Sequence, residues 1–271
     1  MLPKIISFSD SFFLPTYGVL VALGFLAGLW IAGRLARRSG LDPEAVTNLG
    51  VYAALAGLAG AKLFMFVVEF GHYRANPAEI FSLATLQAGG VFYGGLVAAL
   101  LYGAWHVRRH GLPTALTLDC FAPGLALGQA IGRLGCFAAG CCWGQACDRS
   151  WAVTFTNPDA HALTGVPLDV ALHPTQLYEA AMLGAAFAIT YIAFARPHKP
   201  GAILGLYLLL AAIERFTVDF VRAHQQPNPF EGPLTTAQWI ALGLAAAGVW
   251  LLVRAGEPPK PELGGLKAAA H

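Results

Sequence analysis

Residues Tyr17 to Ala36 read YGVLVALGFLAGLWIAGRLA, with a single charge, Arg34, near the end. A helix needs about 20 mostly apolar residues to cross the hydrocarbon core of a bilayer. This stretch is therefore a full span, closed by Arg34, Arg37 and Arg38. Working outward, six more apolar runs qualify: Val46 to Phe70, Gly89 to Val107, Ala115 to Ala138, Thr175 to Ala195, Ala202 to Val221 and Thr235 to Val253. A polar stretch rich in Asp, Asn, Pro and Thr, Gly140 to Leu172, separates the fourth from the fifth. The expected fold class is an all-α integral membrane protein with about seven transmembrane helices. Residues 1–255 form a single seven-helix domain, with 140–172 as a small head segment and 256–271 as a mobile tail.

Composition agrees. Of the 271 residues, 56% are hydrophobic and only 12% charged, about half the usual charged share of a soluble domain. So few charges cannot cover a water-facing surface. A formal charge of +2 makes no case for nucleic acid. Met1 to Pro15 lack the basic start, apolar run and small-residue site of a cleavable signal, so the first span is expected to stay.

Orientation follows from the Lys and Arg of alternate connections. One side receives ten: Arg34, Arg37, Arg38, Arg108, Arg109, Arg196, Lys199, Arg254, Lys260 and Lys267. The other receives four: Lys4, Arg74, Arg149 and Arg222. The first side is read as cytoplasmic, which puts the N-terminus and the head segment outside and the C-terminus in the cytoplasm. The second half does not restate the first, which disfavours an inverted-repeat transporter.

Seven charges fall inside spans: Lys62, Asp119, Arg133, Glu179, Glu214, Arg215 and Asp219. Each costs roughly 2.5–3.5 kcal/mol at a helix centre on insertion scales. Asp119 lies near the start of its span, where a solvated or capping role suffices. Arg133 sits among glycines in GQAIGRLG, residues 128–135. Its planar fork matches a phosphate or carboxylate, and it serves either as an anion ligand or as half of a structural ion pair with a glutamate on another helix. Arg215 shares a helix face with Asp219 four residues on, which allows a plain ion pair. Glu214, adjacent to Arg215, points elsewhere. Two arginines on different spans, both towards the outer half, also suit a clamp on one anionic headgroup. His173 to Glu179, HPTQLYE, opens the fifth span and is more polar than a helix start requires. There His173 is either a base or a cap.

These stretches carry a family resemblance. Tyr17-Gly18, the GGVFYGGL run at 89–96, the GRLG run at 132–135, Trp143-Gly144, HPTQLYE, Arg215 to Arg222, and Leu234-Thr235 through Gln238 resemble the prolipoprotein diacylglyceryl transferase family. The resemblance implies seven spans with the N-terminus outside, in a bacterial inner membrane, so that the head segment is periplasmic. It also implies a reaction: the diacylglyceryl group of phosphatidylglycerol, an anionic phospholipid, moves to the cysteine thiol of a prolipoprotein signal peptide, and glycerol phosphate leaves. Arg133 and Arg215 fall on the family's essential arginines and Tyr17 on a tyrosine near the site. Arg133, Arg215, Tyr93, His173, Cys136 and Cys141 are the candidate catalytic residues, with Tyr17, Gly94, Gly95, Gln176 and Glu179 joining Arg133 and Arg215 in substrate binding. No cofactor and no metal are expected.

The chain departs from the family pattern at three places. Tyr93 replaces the histidine of a His-Gly-Gly-Leu run, and a phenol of pKa near 10 is a poor base at neutral pH. The Gly-Asn-Phe-x-Asn-Gly-Glu run reads GCFAAGC at 135–141, so both asparagines and the glutamate are gone. Ala211 stands where a tyrosine precedes the second arginine by one turn. A paralogue with another acceptor or lipid and cysteine-assisted chemistry is therefore a rival reading. A non-catalytic lipid-binding or redox membrane protein is another.

Cys136, Cys141, Cys142 and Cys147 lie within twelve residues. The oxidising exterior favours one disulfide, Cys147 with Cys142 or Cys141. Adjacent cysteines rarely bond each other. There is no C-x-x-C pair and no nearby histidine, which argues against a metal. A functional thiol beside Arg133 is the remaining reading.

Overall fold

The computed structural model describes residues 2–7, 13–82, 85, 90–223 and 232–254. The tail at 256–271 lies outside them. The described chain is mostly helical, with a long helix over each apolar run. They are α1 (Thr16–Arg38), α2 (Pro43–Val68), α4 (Phe92–Arg109), α5 (Thr114–Ala139), α7 (Thr175–Phe194), α8 (Ala202–Asp219) and α9 (Thr236–Arg254). Two short helices, α3 (Phe70–Ala75) and α6 (Pro158–Thr164), lie in connections. So do two small antiparallel hairpins, β1 (Lys4–Ser7) with β2 (Phe13–Pro15), and β3 (Val153–Thr154) with β4 (Ala171–Leu172).

Among the described residues five helices, α1, α2, α5, α7 and α9, are long and apolar enough to cross a membrane. Both others have 18 residues. In α4, the basic last turn with His106, Arg108 and Arg109 lowers its hydropathy. In α8, Glu214, Arg215 and Asp219 do so. The chain is a multi-pass helical membrane protein, and its polarity is inverted relative to a soluble fold. Leu58, Leu63, Leu100 and Leu101 point outward, whereas Asp119, Gln176 and Glu179 are fully buried.

The chain divides into two compact units, Ala32–Thr117 and the described residues on either side of it. Within the smaller unit α2 packs on α4 through glycines. A Cβ on Gly95 would lie 2.8 Å from the Gly57 carbonyl, and one on Gly94 2.6 Å from that of Gly60. Gly94 and Gly95, expected at the substrate, are thus what lets these two backbones touch. Lys62 donates to the carbonyl of Thr85 at 2.6 Å.

In the larger unit Gly24 and Gly28 of α1 face Gly128 and Gly124 of α5, two small-xxx-small pairs meeting back to back. Asp119 is neither solvated nor a cap for its own helix. It accepts from the amides of Gly201 (2.6 Å) and Leu204 (2.8 Å) and so caps α8, whose N-cap residue Gly201 offers no side chain. At the start of α9, Thr235 and Gln238 form a reciprocal capping box, each side chain accepting from the other's amide at 3.0–3.1 Å.

Candidate active site

The site is built on the turn that ends α5 and the first turns of α7. After Ala139 the chain reverses through Gly140, at φ 80, whose amide and that of Cys141 both reach back to the Cys136 carbonyl. Cys142 also has a left-handed backbone, φ 62, which is rare for a residue with a Cβ. The start of α7 holds this turn. Thr175 donates to the Cys142 carbonyl and Gln176 to the Cys141 carbonyl, each at 2.7 Å. The polar HPTQ run is explained in this way: two of its side chains fix the cysteine turn.

One helical turn further, Glu179 is fully buried and gathers three arginines on a single oxygen. Its Oε1 lies 3.2 Å from Arg133 Nη2, 3.3 Å from Arg215 Nη1 and 3.0 Å from Arg222 Nη1. Both ion pairs anticipated for the span arginines are present, since Arg215 also holds Asp219 at 3.1 Å. Asp219 accepts in turn from the Thr235 hydroxyl at the start of α9. Glu214, also buried, lies beside the same three arginines. Glu179 Oε2, Glu214 Oε1 and Gln176 Oε1 are buried with no hydrogen-bond partner among the described residues.

Arg222 lies in the connection after α8 and is largely buried against Glu179. The head segment puts it there. Gly144 bridges to Arg222, the Gln145 amide donates to the Val221 carbonyl at 2.8 Å and the Ala223 amide to Trp143 at 3.2 Å. The Gln145 side chain adds a bond to the Arg222 carbonyl at 3.2 Å. On its other side Gly144 donates to the His173 carbonyl at 3.0 Å. The head itself is held by Phe155, Ala160, Val166 and Leu172, with Trp143 and Val153 packed against them. No helical spacing in the sequence marks it, because α8 ends at Asp219.

The cysteines correct the expected disulfide. All five are free thiols. The reversal at Gly140 carries Cys141 and Cys142 back over Cys136, and the three Sγ atoms lie within 4.8 Å of one another. Cys147 runs instead into the head, where its amide donates to Ala171 and its sulfur accepts from the Arg149 amide. Within the trio the thiols differ. Hydrogen bonds from Cys136 and Cys141, helped by the charges of Arg222 and Arg133, hold Cys142 far below the usual thiol range. Cys141 is pushed up, by its hydrogen bonds to Cys136 and then to Cys142 and by burial. The trio thus lies next to the guanidinium groups of Arg133 and Arg222.

The remaining candidates are placed as follows. Tyr17 lies beside Gly135, where a Cβ would come 3.4 Å from its ring. His173 Nδ1 is 3.2 Å from the Tyr178 hydroxyl, which accepts from Trp151 Nε1 at 2.8 Å. That chain runs along the head, and no bond joins His173 to the arginines among the described residues. Tyr93 belongs to the smaller unit, in the first turn of α4, 67% exposed and edge-on to Phe92.

A buried carboxylate binding three arginines, among long apolar helices, defines the class: a multi-pass membrane protein with a buried cationic cluster. The model of the prolipoprotein diacylglyceryl transferase family matches residues 3–254, and the chain belongs to that family. A phosphatidylglycerol–prolipoprotein diacylglyceryl transferase of Nitratidesulfovibrio vulgaris is 34% identical over 248 residues, covering 88% of each chain. The enzyme of the same name from Ruegeria pomeroyi is 33% identical over 267 residues, 88% of this chain and 90% of that one. The one from Chromohalobacter salexigens is 32% identical over 246 residues, 88% and 86%.

Proposed function

We propose that this protein is a transferase that moves the diacylglyceryl group of phosphatidylglycerol to the cysteine thiol of a prolipoprotein signal peptide. It works in a bacterial inner membrane, crossing seven times with the N-terminus outside and the head segment in the periplasm. The observation that carries this reading is the convergence of Arg133, Arg215 and Arg222 on Glu179 Oε1. Guanidinium N–H groups not spent on Glu179 bind the phosphate oxygens as a fork. Glu179 Oε2 and Gln176 Oε1, buried acceptors, suit the hydroxyl groups of the glycerol head.

The chemistry follows from this placement. The acceptor thiol gives up its proton, and its sulfur attacks the glycerol carbon that carries the phosphate. The S–C bond forms as the C–O bond breaks, and the electron pair leaves on the phosphate as glycerol phosphate. The arginines, already oriented by Glu179 and Asp219, stabilise the charge that develops on that oxygen without reorganising. Tyr17 lines the same end of α1 and α5. The charges of Arg133, Arg215 and Arg222 favour the thiolate form of the acceptor, whose proton passes to water.

The test is reconstitution. The purified full chain is given phosphatidylglycerol and a synthetic signal peptide with its cysteine, and the peptide is weighed by mass spectrometry. The expected product is a diacylglyceryl thioether with release of glycerol phosphate, absent with Arg215→Ala and with a serine peptide. Well-folded protein that retains phosphatidylglycerol but lipidates no peptide, and that fails to replace a depleted host transferase, overturns the acceptor assignment.

A further inference from the structure

We infer that Cys136, Cys141 and Cys142 form a metal site, a three-thiolate socket for a soft d10 cation of the zinc class whose fourth position is open to the acceptor thiol. The inference rests on reading the chain as a thiol-alkylating transferase. It begins with geometry: the three Sγ atoms already lie within 4.8 Å of one another. Tetrahedral zinc, with Zn–S near 2.3 Å, needs its sulfurs roughly 3.8 Å apart, so the thiols close by about an ångström at most.

The backbone is arranged to produce this meeting. Gly140 and Cys142 take left-handed conformations, the second of them unfavourable for a residue with a Cβ. The Thr175 and Gln176 side chains hold the carbonyls of Cys142 and Cys141. A strained turn fixed by two buried side chains is the mark of a functional constraint. Sequence spacing hid it, because the ligands follow a C-x4-C-C pattern in which the turn, not the interval, sets the distance.

Other uses of three thiols fit less well. A disulfide joins two and leaves the third, and the adjacent pair is disfavoured geometrically. A covalent lipid intermediate on any of them is a thioether, which has no leaving group for a second transfer. A metal uses all three. Three thiolates on a dication carry one net negative charge, which the guanidinium groups of Arg133 and Arg222 stabilise. Three protein ligands with one open position is the catalytic arrangement of zinc, and a thiol that coordinates there is deprotonated outright.

The balance is as follows. Loading the metal releases three thiol protons to solvent. The acceptor thiol then displaces a metal-bound water, and its proton passes to solvent water. The bound thiolate is left facing the lipid phosphate clamp.

The experiment uses the full chain in detergent, reduced and stripped with a chelator, with Zn2+ or Cd2+ alone as probe. One equivalent of Zn2+ is expected to remain through gel filtration by elemental mass spectrometry. One equivalent of Cd2+ is expected to raise a sulfur-to-metal charge-transfer band. Losing an outer-shell partner of a metal ligand costs roughly 10–100-fold in affinity. Cys136→Ser, Cys141→Ser and Cys142→Ser should each lose at least about as much, while Cys147→Ser keeps it. Circular dichroism and thermal midpoints check that each variant is folded. Wild type that binds no more metal than the triple variant overturns the site. With Co2+ loaded, an apolar cysteine peptide should intensify the thiolate-to-cobalt band and its serine counterpart should not. No response to the cysteine peptide overturns the open position. Metal binding without lipid transfer supports the site and counts against the transferase reading. Full transfer by stripped protein overturns the metal's role and leaves that reading standing.

Discussion

Arg222 Nη1 lies 3.0 Å from Glu179 Oε1, although Arg222 falls beyond the end of α8 and 43 residues separate the pair. A helix does not place it. Backbone bonds from Trp143, Gly144 and Gln145 do, so the head segment and the membrane helices complete one site together. Arg222→Ala should lower lipid transfer by about 10²–10³-fold, the usual cost of one preorganised donor to a developing oxyanion. Arg222→Lys should recover only part, because a point charge lacks the fork. Transfer rates and phosphatidylglycerol retained on purification measure both.

Glu179→Ala should destabilise the fold by about 3 kcal/mol or more, since it leaves three partly buried guanidinium groups without their shared counter-ion. The thermal midpoint in detergent reads this. Added phosphatidylglycerol should recover part of the loss by supplying an anion to the same groups. Glu179→Gln, which keeps an acceptor oxygen, should be milder. Equal midpoints for Glu179→Ala and wild type would show that the cluster does not support the fold.

Gly144→Ala should cost about 1–3 kcal/mol. A Cβ there meets the Val221 carbonyl at 2.7 Å and the His173 side chain at 2.5 Å, so the strand that seats Arg222 must move. Lower thermal stability should come with a transfer defect. A variant as stable and as active as wild type would refute the seating.

Asp119→Ala separates stability from binding. It removes two amide acceptors at the buried start of α8, and should cost about 1–3 kcal/mol. Arg133 lies fourteen residues on, roughly 21 Å along the same helix, so phosphatidylglycerol affinity should hold. A midpoint shift with unchanged lipid binding is the expected pattern, and weakened binding at full stability would contradict it.

Much of the fold was legible. Apolar run lengths placed a long helix over every expected span, because a helix in lipid must satisfy its own backbone bonds and so advertises itself in composition. The boundaries moved where local chemistry ruled. The second helix starts at Pro43 rather than Val46, since Asp42 caps it by accepting from the Glu44 amide. The expense of buried charge singled out Arg133, Arg215 and Glu179, and all three meet in the site.

The rest depended on contacts that spacing does not encode. Gln176 is expected at the substrate, and with Thr175 it holds the cysteine turn. Gly94 and Gly95 looked like substrate contacts, and they let α4 touch α2. The disulfide expectation failed because two left-handed residues reverse the chain, which no interval between cysteines reveals.

The sequence by itself determined that this protein lives in a membrane, which long helices it forms and which charges inside them need partners. Hydrophobic length and the cost of an unsolvated charge are local properties, readable one segment at a time. Only the tertiary structure decided that Arg222 joins Arg133 and Arg215 on one oxygen of Glu179, and that three thiols share one corner beside them. Those meetings depend on backbone bonds and turns between segments far apart in the chain.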